Sequence, residues 1–60
     1  MCVQWKIERF LRRSDMAATR FGRLAAGDPR LVHDLRRGRE PGTAMVARLE
    51  AFLAEQERAR

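Results

Sequence analysis

The break Gly27-Asp28-Pro29 constrains this 60-residue chain more than any other feature. It interrupts a helix-favouring stretch that runs from Ala18 to Gly38. Gly27 suits the left-handed conformation that closes a helix. Asp28 can offer its carboxylate to the first free N–H groups of the next helix, and Pro29 fits its first position, where a missing donor costs nothing. At the far end Arg36 and Arg37 complement the negative end of the helix dipole, and Gly38 stops the helix. The segment therefore predicts two short helices, near 17–26 and 29–37, joined by a sharp turn.

The second of these has two unlike faces. Leu31, Val32 and Leu35 fall on one side at helical spacing. At about 100° per residue, Arg30, His33, Asp34 and Arg37 fall together on the other. A helix that holds on by one side and offers charged side chains on the other has the layout of a helix-turn-helix, which lays such a helix into the major groove of DNA. An ordinary amphipathic helix with a solvated face has the same pattern.

The remaining chain reads as scaffold. Val3, Ile7, Phe10, Leu11 and Ser14 share one side of a helix from about 3 to 13, with Lys6, Arg9, Arg12 and Arg13 off that side. Ser14 and Asp15 break it. Trp5 points nearly opposite the apolar stripe, so either the helix begins after it or Trp5 lies on the surface, where an exposed Trp suits a contact with a partner. The loop Gly38–Gly42, with two Gly and one Pro, cannot continue a helix. Thr43 is the expected cap of a last helix running to about Arg58. Its stripe of Met45, Val46, Leu49, Phe52 and Leu53 is about 120° wide and suits packing on a core, with the Met45 and Phe52 edge open to a partner subunit. The expected fold is all-α, a single four-helix domain spanning 1–60 without strands.

Composition narrows the function. The net charge is +5, and the basic excess lies in the first half of the chain, which favours polyanions. With one Cys, Cys2, there is no internal disulfide, and Cys2 alone is far from the roughly four ligands of a zinc site. One His, one Cys, one Ser and no Tyr leave little for an enzyme, and no Gly-rich phosphate loop is present. No catalytic residue, metal or cofactor is expected, and no small-molecule effector is evident. There is no membrane-length apolar run and no signal peptide. So short a chain buries only about 60% of its unfolded surface, which makes dimerisation a ready source of stability.

The stretch resembles the helix-turn-helix of the lambda repressor and Cro-like (XRE) family. Phe21 and Gly22 match that family's apolar-then-small pair in the first motif helix, and Ala25 its small residue before the turn. Val32 and Leu35 match the two anchors of the second helix, and Gly38, Arg39 and Pro41 the trailing residues. No gap is needed from Ala18 to Gly38. The family more often has Gly where this chain has Ala26, Ala where it has Gly22, and Ser or Thr where it has Ala17.

The resemblance implies a compact lambda-repressor-like fold and a small, dimeric, cytoplasmic, nucleoid-associated bacterial or phage transcription regulator, its partners being double-stranded DNA and a second copy. It implies base contacts from Arg30, His33, Asp34 and Arg37, with Arg30 and Arg37 suited to guanine. Asp34 would accept from cytosine N4 or hold Arg30 or Arg37 in place. Phosphate contacts would come from Thr19, Arg20, Arg36 and Arg39. Trp5, Met45 and Phe52 are the candidates for a dimer or partner contact. The alternative is a protein-interaction module, such as an antitoxin or adaptor, on the same fold.

Overall fold

Apolar spacing and the breaks between stripes account for the elements that form. The computed structural model describes residues 3–59, which form α1 (Val3–Ser14), α2 (Ala18–Ala26), α3 (Leu31–Arg36) and α4 (Thr43–Arg58), with no strand among the described residues. Cys2 lies outside them. No helix among them is long and apolar enough to cross a membrane.

Each helix end has a local cause. Asp15 closes α1 with φ +62°, donating its N–H to the Leu11 carbonyl at 2.9 Å, while Ser14 Oγ accepts the Met16 N–H. Gly27, at φ +66°, closes α2, its N–H on the Arg23 carbonyl at 3.0 Å. Gly38 closes α3: its N–H meets the Leu35 carbonyl and the Arg39 N–H meets the Asp34 carbonyl, which together form a Schellman motif.

Two expected starts differ. Helix α3 begins at Leu31 rather than Pro29, because Asp28, Pro29 and Arg30 form a tight turn. In it Asp28 Oδ1 accepts the Arg30 N–H at 3.0 Å and the Asp28 carbonyl accepts the Leu31 N–H at 3.1 Å. The same turn chemistry that caps the segment shortens the helix. Thr43 is not a cap: Gly42 holds that place, with its carbonyl on the Val46 N–H, and Thr43 is the first helical residue. Trp5 lies inside α1 and on the surface, 45% exposed.

The core centres on Phe21 of α2, which is fully buried. Phe10 of α1 meets it at 5.8 Å between ring centres, and Phe52 of α4 meets it edge-on at 5.4 Å. Val3, Ile7, Leu11, Ala25, Leu31, Val32, Leu35 and Leu49 are buried around them. The edge-to-face Phe21–Phe52 pair adds to the burial of apolar area. The three rings thus join α1, α2 and α4 through one point, and α3 attaches by its own three apolar anchors.

The α2–α3 crossing is close. A Cβ on Gly22 would run into the Asp28 carbonyl oxygen and stand 3.3 Å from Leu31 Cβ. After the turn at Gly27 the Asp28 carbonyl lies against α2, and only a residue without a side chain leaves space for it there. The Asp28 N–H completes the contact on the Gly22 carbonyl at 3.1 Å.

Candidate nucleic-acid interface

Leu31, Val32 and Leu35 turn α3 against the core, so its opposite ridge faces solvent. Arg30, His33 and Arg37 stand exposed on that ridge. None of the three makes an ion pair or a side-chain hydrogen bond among the described residues.

The flanks of the ridge are different. On one side Arg36 reaches α1 and grips Glu8 with two parallel bonds, Nε to Oε2 at 2.7 Å and a second guanidinium nitrogen to Oε1 at 2.8 Å. This bidentate geometry is the strong form of a guanidinium–carboxylate pair. It holds the Glu8 carboxyl below its ordinary value and raises Arg36 further. Arg36, expected on phosphate, is therefore engaged as a strut between α1 and α3.

On the other side Arg39 follows Gly38 back along the helix and lies between two carboxylates, Asp28 at 3.1 Å and Asp34 at 3.3 Å. Asp34 thus holds Arg39 rather than Arg30 or Arg37. Helical spacing suggested the latter pair because it takes no account of the chain reversal at Gly38. The Arg30 backbone N–H and then the Arg39 side chain keep the Asp28 carboxyl below its ordinary range. Each of these carboxylates thus has a guanidinium partner within the protein, with Asp28 and Asp34 sharing one, while Arg30 and Arg37 on the ridge have none among the described residues.

On α2, Thr19 and Arg20 are exposed, as is Arg23, which had no role assigned from sequence. Arg23 lies one turn from Arg20 on the side away from Phe21 and Ala25, and that spacing was the available signal. Leu24 beside them is 53% exposed. Of the three residues considered for a partner contact, Met45 and Phe52 pack partly buried against the core, while Trp5 stands out in solvent with the Arg9 guanidinium 5.5 Å from its ring centre.

No protein-family model, no curated protein and no solved structure matches this chain.

Proposed function

We propose that this chain binds double-stranded DNA sequence-specifically, as a small transcription regulator of lambda-repressor-like fold that lays α3 in the major groove. The observation that carries the reading is the unpaired Arg30, His33 and Arg37 ridge, set between flanks whose Arg36 and Arg39 are engaged by carboxylates of the protein itself. Arg30 and Arg37 read guanine, the commonest target of a major-groove Arg. Asp34 acts through Arg39, which it aims. Thr19, Arg20 and Arg39 position the backbone, and Arg36 contributes by fixing the pitch of α3 on α1.

The test begins with selection of a duplex from a random pool. Anisotropy titrations against the selected and a scrambled duplex follow, over a salt series. Arg30→Ala and Arg37→Ala should each lose about 1–3 kcal/mol on the selected duplex only. Arg39→Ala should weaken both duplexes alike and lower the salt slope by about one unit. Equal losses on both duplexes for the ridge variants would defeat the groove assignment. The exposed Trp5 favours the second reading, a protein-interaction module, and a failure to bind any duplex at low salt would put that reading first.

A further inference from the structure

A cleft of about 290 Å³ runs along the surface between α1 and α4, and its walls carry opposite charge. Lys6, Arg9 and Arg13 stand on the α1 wall, Glu50 and Glu57 on the α4 wall, with apolar surface from Phe10, Leu53 and Ala54 between them. At one end Lys6 Nζ reaches Glu50 across the gap at 3.0 Å. Two turns further along both helices, Arg13 and Glu57 face the cleft from opposite walls without pairing. Exposed Trp5 lines the rim.

We propose that this cleft is a contact between two copies of the chain, related by a two-fold axis that runs along it. A two-fold contact uses one patch on both partners, so the patch must complement itself. Rotation about an axis along the cleft lays the basic wall of one copy on the acidic wall of the other at equal height. Arg13 of each copy then meets Glu57 of the other, and the contact occurs twice. An axis across the cleft would instead set like charge on like. Between the charged walls the lining is apolar, from Leu53, Ala54 and the edge of Phe10, and the exposed Trp5 ring at the rim is of a type enriched at protein interfaces. A standard interface takes about 800 Å² from each partner, roughly a fifth of this molecule's 4290 Å² surface. A polyanion is a poor occupant, because Glu50 and Glu57 stand at the two ends of the α4 wall. The proposal does not depend on α3 reading DNA.

The experiment is sedimentation velocity of the full chain without DNA, from micromolar to near-millimolar concentration. The chain should sediment as a dimer at the upper end. Arg13→Glu alone and Glu57→Arg alone should each weaken association about tenfold or more, since like charges placed opposite one another repel. Mixed in equal amounts the two variants should recover the dimer, because each contact between them again joins opposite charges. Circular dichroism checks that both variants are folded. The chain's single Trp supplies a readout that needs no variant: Trp5 emission should shift to shorter wavelength as concentration rises. A wild type that stays monomeric, single variants that associate as well as wild type, or a mixture that stays dissociated would each overturn the proposal.

Discussion

Gly22 has the least room of the four glycines, and the other three have nothing within 4 Å of an added Cβ. Alanine there gains roughly 1 kcal/mol of helix propensity but drives its methyl into the Asp28 main chain, and overpacking costs about 1–3 kcal/mol. Because the obstacle is backbone, Gly22→Ala should be net destabilising, with a lower urea midpoint at unchanged slope. Gly27→Ala is the contrast. Nothing stands near its absent Cβ, and the loss there, about 1 kcal/mol, should come from the positive φ alone. Glu8 carries a separate prediction. Its folded pKa lies below the ordinary 4.5, so its contribution is full above that value and disappears as pH falls through the folded one. The melting temperature should therefore drop more steeply from pH 5 to about pH 3 for wild type than for Glu8→Gln. Equal slopes would mean that the Glu8–Arg36 pair adds nothing to stability.

At the level of elements, what could be read in advance was set by local chemistry. The four helices follow from stripes such as Ile7, Phe10 and Leu11 and from breaks at Asp15, Gly27 and Gly38, all of which act within a few residues. Helix α3 starts two residues later than the spacing predicts because Pro29 is as much at home in a turn as in a first helical turn. The outward ridge of α3 was legible because Val32 and Leu35 define its opposite. The partners of Arg36 and Arg39 were not. An Arg side chain reaches many neighbours, and Glu8 lies on a different helix, whose angle no spacing rule supplies. Phe52 was ambiguous for a similar reason: its stripe was plain, but the ring it would meet, Phe21, is known only once α2 and α4 are docked. Helix α4 rests on few anchors, and Leu49 is its one fully buried side chain among the described residues. Leu49→Ala should cost about 2–5 kcal/mol and lower the melting temperature by roughly 10 °C or more. A shift of only a degree or two would show that Met45, Val46, Phe52 and Leu53 can hold α4 without it.

For the molecule as a whole, size is the governing term. A chain this short is expected to hold only about 3–9 kcal/mol of stability, so any association that favours the folded form is visible in its unfolding. If two copies meet along the α1–α4 cleft, the melting temperature should climb with protein concentration and stop doing so in Arg13→Glu. A concentration-independent melt for wild type would argue against the contact. The interior has a further consequence, for how this sequence can vary. No buried polar or charged side chain lies in the described core. Nothing inside it demands a particular hydrogen-bond partner, so positions such as Ile7, Leu31 and Leu49 should accept volume-conserving apolar exchanges at a cost of under about 1.5 kcal/mol. The narrowest point in the space of permitted sequences is therefore not the apolar centre. It is the place where one helix presses on a main-chain carbonyl and a single residue type fits. A library randomised across the core should return many solutions at the large side chains, and glycine almost alone at position 22.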